Sequence, residues 1–369
     1  MNERHTAPIE TPVGEIVDRI SAACPLYDIR NENERQVGMP PGSVALSVEE
    51  LKERVGKSGP DAELAGWVMC SEGVRSLLAA KELRSLGGSG FSSVSGGFNA
   101  WREAGLPVDY PAGLSAGQAE RYARHLVMPQ VGAEGQRRLL DSRMLLVGLG
   151  GLNSPVAMYL AAAGVGTLGL VDYDIVERSN LQRQVLHGES RVGYAKAASA
   201  QQRIRDINPA VDAVVIDREV TSENAEELVG GWDIVIDGTD SFQSRYALNA
   251  ACVRRSIPLV YGAVMRFQGQ VAVFWPAVKS PGGSCCFKCM MPQEPAAGEA
   301  PGCAEAGVLG VLPGIVGTLQ ANEALKLALG IGRPLLGELL MIDALNMDFR
   351  KMRIPADPLC ACCGSESPG

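Results

Sequence analysis

Four of the ten cysteines fall in two short pairs, Cys286-Phe-Lys-Cys289 and Cys360-Ala-Cys-Cys363. Two Cys-x-x-Cys knuckles can bring four thiolates to one tetrahedron, the geometry of a closed structural zinc site; the plainer alternative is two unrelated pairs of reduced thiols. A metal held by both knuckles would clip the end of the chain back onto its middle. A different use of sulfur is suggested by Gly66-Trp-Val-Met-Cys70-Ser-Glu-Gly-Val-Arg75-Ser76. A cysteine at a strand end, with an arginine five residues on and a helix to follow, can sit in a loop whose backbone amides point inward. Such a nest, with the helix dipole behind it, stabilises a thiolate or a terminal persulfide, and Arg75 would brace it. Taken alone, a strand-end cysteine is more often a small buried hydrophobe. Cys24 and Cys252 read as packing residues, and Cys285 and Cys362 as bystanders of the knuckles.

Phosphate chemistry is suggested elsewhere. Met144-Leu-Leu-Val-Gly148-Leu-Gly150-Gly151-Leu-Asn153 reads as a strand entering a glycine turn. Gly148 would allow the turn, and Gly150 and Gly151 would let phosphate approach backbone amides at a helix N-terminus. Asp172 ends the next strand, where a ribose-binding acid belongs in a nucleotide-binding unit. Beyond it, Asp172 to Gln184 gathers acids with Ser179, Asn180 and Arg183. Hydride transfer needs no arginine beside the phosphates. Splitting a phosphoanhydride does, because charge develops on the phosphorus oxygens. Lys196 could add a second cation. Asp240, in Asp237-Gly-Thr-Asp240-Ser241, falls at a strand's carboxyl end, where a magnesium ligand would sit. One at a time, each of these residues is better explained by a surface ion pair or a helix cap; their joint placement favours a site.

The elements that must position these residues fall in two parts. Up to about Pro111, short apolar runs (Leu26-Tyr-Asp-Ile29, Gly66 to Cys70) read as buried parallel strands and Val74 to Leu86 as a helix. After the turn-rich connector Gly105 to Gly113, Ser115 with Gln118 resembles a capping box opening a helix. Strand and helix signals then alternate through Asp233–Asp237 and Pro258–Tyr261, the pattern of a doubly wound α/β domain. Met144 to Val171 carries no charge, long enough to span a bilayer, but its six glycines and the Asn153-Ser154-Pro155 break fit strand, turn, helix and strand instead. A net charge of −8 argues against nucleic acid. The first residues have no apolar run of a signal peptide, and reduced cysteines suit the cytoplasm.

From about Leu114 onward the chain resembles the MoeB/ThiF adenylyltransferases, relatives of ubiquitin-activating enzymes. The resemblance rests on Glu120-Arg-Tyr-Ala-Arg124-His125, Gly148 to Leu152, Asp172 to Gln184, Val192 to Lys196, Asp237 to Ser241, both knuckles and Cys303-Ala-Glu-Ala-Gly307. It implies that ATP and Mg2+ activate the C-terminal glycine of a small ubiquitin-like sulfur carrier ending in Gly-Gly as an acyl-adenylate. On that basis Gly151 lies by the phosphates, Asp172 on the ribose, Asn180, Arg183 and Lys196 on the triphosphate, and Asp240 organises Mg2+. Arg124 matches an arginine that reaches across a dimer interface, implying a homodimer. Cys303 matches a cysteine that some members use to take the activated carrier, against the alternative of a structural loop thiol. Two departures stand out: Asn153 replaces the usual last glycine and Ser241 the common asparagine, both small polar changes at positions expected to tolerate them.

The first 110 or so residues resemble a rhodanese domain, on Leu26-Tyr-Asp-Ile-Arg30, the Pro41-Gly42 turn, Cys70 to Ser76 and Gly96-Gly-Phe-Asn-Ala-Trp101. The implication is a persulfide on Cys70. Glu72 would place a negative charge in the cradle and disfavour an anionic donor such as thiosulfate, which points to a protein persulfide donor such as a cysteine desulfurase. The expected architecture is a rhodanese-like α/β domain over residues 1–111, then a Rossmann-like doubly wound ATP-binding domain over 112–369 with a four-cysteine zinc site at Cys286, Cys289, Cys360 and Cys363. Its catalytic set is Cys70, Arg75, Arg124, Arg183, Asp240 and Cys303. Its nucleotide set is Gly148, Gly150, Gly151, Asp172, Ser179, Asn180, Arg183, Lys196, Asp240 and Ser241. The rivals are adenylation of a tRNA nucleoside, a nicotinamide oxidoreductase and a non-enzymatic scaffold.

Overall fold

The computed structural model describes residues 8–57, 64–278, 285–294 and 307–364. The chain divides into two compact units between Arg137 and Arg138, later than the expected break after residue 111. Within the first unit the Ala133 N–H donates to Gln36 Oε1 at 3.2 Å, which ties this later stretch to it.

In the first unit the strands β1 (Glu10–Thr11), β2 (Leu26–Asp28), β3 (Val44–Ala45), β4 (Ala65–Met69) and β5 (Gly90–Val94) form one parallel sheet in the order β1-β5-β4-β2-β3. β4 and β5 read as unbroken apolar or small runs because both faces are covered. Alternation splits the core: Val68 and Cys70 join Leu51, Ala79, Leu83 and Phe91 on one face, and Trp67 and Met69 join Ile16, Phe98 and Trp101 on the other. Arg30 is buried among them, with Asp28 at 2.6 Å and the Phe98 ring 3.7 Å below its guanidinium. The capping box at Ser115 is present, but its helix stops at Arg121 and a separate turn, Ala123–Leu126, carries Arg124.

The second unit is an eight-stranded sheet. Its strands are β6 (Arg143–Val147), β7 (Thr167–Val171), β8 (Asp212–Ile216), β9 (Ile234–Asp237), β10 (Leu259–Met265), β11 (Gln268–Phe274), β12 (Glu338–Asp343) and β13 (Asp348–Arg353). The order is β13-β12-β11-β10-β9-β6-β7-β8. β8, β7, β6, β9 and β10 are parallel and the rest antiparallel. Helices Asn153–Ala163, Lys196–Ile207 and Val311–Leu329 carry residues of the core on one face, and Phe242–Arg255 on the other. Strand order reverses between β6 and β9, and crevices for ligands open at such points, outside the carboxyl ends of the strands. Among the described residues no helix is long and apolar enough to cross a membrane.

Candidate functional site

A cavity of about 260 Å3 opens at that reversal. Gly148, Gly150, Gly151, Asp172, Arg183, Lys196, Asp240 and Ser241, all expected nucleotide residues, line it, whereas Ser179 and Asn180 are not among its lining residues. Each glycine has its own reason. Gly148 has φ +76° and a side chain there would come within 3.0 Å of Gly238 O. At Gly151 a Cβ would press Pro313 at 2.9 Å, so this glycine answers to packing as well as to phosphate access. Only Gly150 has room beside it, the nearest neighbour being Gln184 at 3.6 Å.

The acids are arranged by backbone amides. Asp172 accepts the N–H of Leu149 at 2.6 Å and of Asp174 at 2.9 Å, and burial raises its carboxyl above the usual range against these bonds. Lys196 Nζ lies 2.9 Å from Asp174 Oδ2. Asp240 is exposed at the cavity's rim. Ser241 has a second duty as helix cap, its Oγ accepting the Ser244 N–H at 3.1 Å. Asn153 is not a tolerant position: it is fully buried, and its Nδ2 donates to Val147 O at 3.0 Å and Gly148 O at 2.8 Å and reaches Ile236 O at 3.4 Å, joining the ends of β6 and β9.

Several contributors carry no signal strong enough to find from sequence alone. Arg245, one helical turn beyond the cap, is buried at the cavity, donates to Thr239 O at 3.0 Å and stands 3.9 Å from Asp237. Burial pushes the Asp237 carboxyl up, against the pull of Arg245. Gln184 is buried at the cavity with no hydrogen-bond partner for Oε1 among the described residues. His187 bridges Leu149 O at 3.0 Å and Ser199 Oγ at 2.9 Å.

In the first unit the loop after β4 wraps the Cys70 sulfur, which accepts the N–H of Gly73 at 3.1 Å and of Ser76 at 3.4 Å. Burial raises the thiol, but hydrogen bonds from Ser76, Glu72 and Gly73 outweigh it and leave Cys70 below an ordinary cysteine. The Glu72 side chain is exposed, and what it gives the cradle is its backbone N–H; the expected carboxylate inside the cradle is absent. Arg75 braces the loop from outside. It pairs with Glu34 through both guanidinium nitrogens and donates to Ser71 Oγ at 3.3 Å. Burial works against Glu34 ionising, yet bonds from Arg75, the Asn31 N–H and Ser71 hold it at about 2. Glu34, remote in sequence, gives no signal there. Gly97 closes the other side: Phe98 N–H reaches Cys70 O at 2.8 Å, and any side chain at Gly97 would collide with that oxygen.

The two knuckles meet. The sulfurs of Cys286, Cys289, Cys360 and Cys363 lie within 4.8 Å of one another, with 286–360 at 3.7 Å and 289–363 at 3.4 Å. A tetrahedral zinc tetrathiolate with bonds of roughly 2.3 Å has S–S edges of roughly 3.8 Å, so the donor set fits such an ion. Phe287 seats the first knuckle among Tyr246, Tyr261 and Phe274. Asn249 accepts the Phe287 N–H at 2.8 Å and donates to Cys362 Sγ at 3.2 Å. Cys362 is thus a contact between knuckle and helix, not a bystander. Arg124 is exposed on its turn, and Cys303 lies outside the described residues.

The model of the ThiF family matches residues 122–362, and that of the rhodanese-like domain residues 13–104. The chain belongs to the ThiF family. Its family relatives include the sulfur carrier protein adenylyltransferase of Thermus thermophilus, 49% identical over 68% of this chain and 92% of that one. The SAMP-activating enzyme E1 of Haloferax volcanii is 47% identical over 68% and 91%. The adenylyltransferase and sulfurtransferase MOCS3 of Sus scrofa is 47% identical over 70% of this chain but 56% of its own length. The crystal structure of E. coli MccB with ATP shares the fold at 20% identity and a TM-score of 0.58, covering 78% of this chain and 84% of that one.

Proposed function

We propose that this ThiF-family chain uses ATP to adenylate the C-terminal glycine of a small ubiquitin-like sulfur carrier and then sulfurates it from a persulfide on Cys70. Residues 1–111 would carry the sulfur and 112–369 the activation. The observation that carries the reading is one chain holding both a glycine-turn cavity with Arg183, Lys196 and Asp240 and a thiol cradle tuned toward thiolate. The relatives' names, which pair carrier activation with sulfur transfer, support it.

A carboxylate is a poor electrophile, and adenylation supplies a leaving group. The carrier's carboxylate oxygen attacks the α-phosphorus, the bond to the β-phosphate oxygen breaks, and pyrophosphate departs. Gly150 and Gly151 amides would cradle phosphate oxygens and the Asn180 side-chain amide would donate to them, with Arg183 and Lys196 countering the charge that develops there. Asp172 retains lone pairs for a ribose hydroxyl. Asp240 would hold Mg2+, which neutralises phosphate charge. The terminal sulfur of the Cys70 persulfide then attacks the acyl carbon of the adenylate and AMP leaves; where the carrier passes first to Cys303, AMP leaves as that thioester forms and the persulfide then displaces the Cys303 thiolate. A thiol reductant cleaves the resulting acyl disulfide, releasing the thiocarboxylate. The four knuckle sulfurs would hold Zn2+ as a structural ion. A homodimer in which Arg124 serves the partner's site, a persulfide donor such as a cysteine desulfurase, and a cytoplasmic setting complete the reading.

The test is carrier-dependent exchange of pyrophosphate into ATP, with a panel of Gly-Gly-ending carriers against wild type, Asp240→Ala and Cys70→Ala. Exchange that survives Cys70→Ala and vanishes in Asp240→Ala is expected; no exchange with any carrier overturns the reading.

A further inference from the structure

We propose that His187 is a positioning residue that aims the Gly150 amide into the cavity and locks the glycine turn to the loop bearing Arg183. The inference rests on the nucleotide reading above and adds a residue that acts through backbone.

Leu149 is held from both of its peptide groups. Its N–H is bound to Asp172 at 2.6 Å, and its C=O faces His187 Nε2 at 3.0 Å. A carbonyl only accepts, so Nε2 carries the proton and donates; Nδ1 is then the bare nitrogen and accepts the Ser199 hydroxyl at 2.9 Å. Accepting the Ser199 hydroxyl at Nδ1 needs a neutral ring, and burial keeps His187 below its ordinary value, with Lys196 adding to the effect. In a planar trans peptide the C=O and the following N–H point in opposite directions. With the Leu149 carbonyl held on the imidazole, the Gly150 N–H is directed away from it. Gly150 borders the cavity and is the one glycine of the turn with open space beside it.

The residue also joins two elements. The His187 backbone N–H closes a turn onto Gln184 O at 3.0 Å, next to Arg183, while its ring holds Leu149; both Arg183 and Gln184 line the cavity. One imidazole therefore fixes the turn that would offer amides to phosphate against the loop that would offer the guanidinium. Ser199, on the helix begun by Lys196, holds the other ring nitrogen and so the orientation of the imidazole.

The experiment measures ATP affinity of the full chain by titration calorimetry with Mg2+ and no carrier, so that carrier recognition is not read. His187→Gln places its amide nitrogen where Nε2 was and should stay within about threefold of wild type. His187→Asn reaches only the Nδ1 position, facing Ser199, and should weaken ATP about tenfold, as should His187→Ala. A purely structural histidine predicts instead that Gln and Asn lose ATP affinity alike, in step with their melting temperatures; that result, or unchanged affinity in Asn, overturns the assignment. If the histidine variants fail to fold, Ser199→Ala decides, with a loss of about twofold or more expected and no change overturning the proposal. Wild-type protein that binds no ATP removes the nucleotide reading itself, an outcome distinct from the Gln–Asn comparison.

Discussion

Cys70 and Cys252 are buried almost equally, 1% and 2% exposed, and burial pushes both thiols up. Cys252, on the inner face of the helix Phe242–Arg255, is enclosed more deeply, with the Asp237 carboxylate adding to the rise, and ends well above an ordinary cysteine. Cys70, at the end of β4, is met by successive backbone amides of one turn and ends below. Low exposure alone does not decide whether a sulfur is inert; how much protein surrounds it, the charges beside it and the N–H groups aimed at it do. The knuckles show a third solution. Four thiols crowd within reach of one another, and burial together with the neighbouring sulfurs pushes Cys289 and Cys363 up to about 12 each, a set that makes chemical sense around a cation.

The largest effect is expected at the knuckles. Replacing Cys360 and Cys363 by Ser should take bound zinc from one ion per chain to none by elemental analysis and lower the melting temperature by on the order of 10 °C. Unchanged metal content and melting would return the cluster to two ordinary thiol pairs. Next comes Gly73→Ala. Gly73 has φ +91° and a Cβ there would come within 2.8 Å of Gly96 N, so the turn must open. Sulfur transfer through Cys70 should fall about ten- to hundredfold, and the pH at which iodoacetamide labels Cys70 should rise. Labelling that keeps the wild-type pH profile would mean the amides are not what tunes the sulfur. Ser76→Ala leaves the amides in place and removes one hydroxyl 3.4 Å from the sulfur; a loss of about two- to tenfold is expected, with Cys252 unlabelled throughout as the internal reference. The smallest effect belongs to Glu34. Its value falls from 4.5 to about 2 on folding, so the stability it contributes is complete above pH 4.5 and lost as pH falls through 2. Glu34→Gln should flatten acid unfolding across that window by roughly 1 kcal/mol or less, because the Arg75 partner is half exposed and screened. Equal acid sensitivity in mutant and wild type would remove Glu34 from the brace.

Where chemistry is encoded by neighbours in sequence, it is legible there. The glycine turn, the Asp172-to-Gln184 loop, the Cys70 loop and the knuckles each carry their spacing in one stretch of chain, and the alternation of apolar runs marks strands of both sheets. What escapes such a reading is set by side chains meeting across elements. Glu34 reaches Arg75 from a helix of its own, His187 grips Leu149 from the next loop, and Arg245 returns to the cavity from a helix that begins at Ser241. Asn153 misleads for the same reason: a missing glycine looks like tolerance until the three carbonyls around its amide come from the end of β6, the glycine after it and β9. Glu72 misleads in the opposite sense, because sequence places the residue in the cradle but does not say that only its backbone faces inward.

The knuckles also change the statistics of the chain. The helix Val311–Leu329 and strands β12 and β13 all lie between Cys289 and Cys360. Joining those ends turns the stretch into a ring of about 70 residues, and forbidding the open forms of such a ring removes roughly 4 kcal/mol of entropy from the unfolded ensemble. Pro313, which presses on Gly151, sits inside the ring. An ion at the knuckles would therefore make one wall of the cavity harder to unravel by restricting where the chain can go when it is not folded.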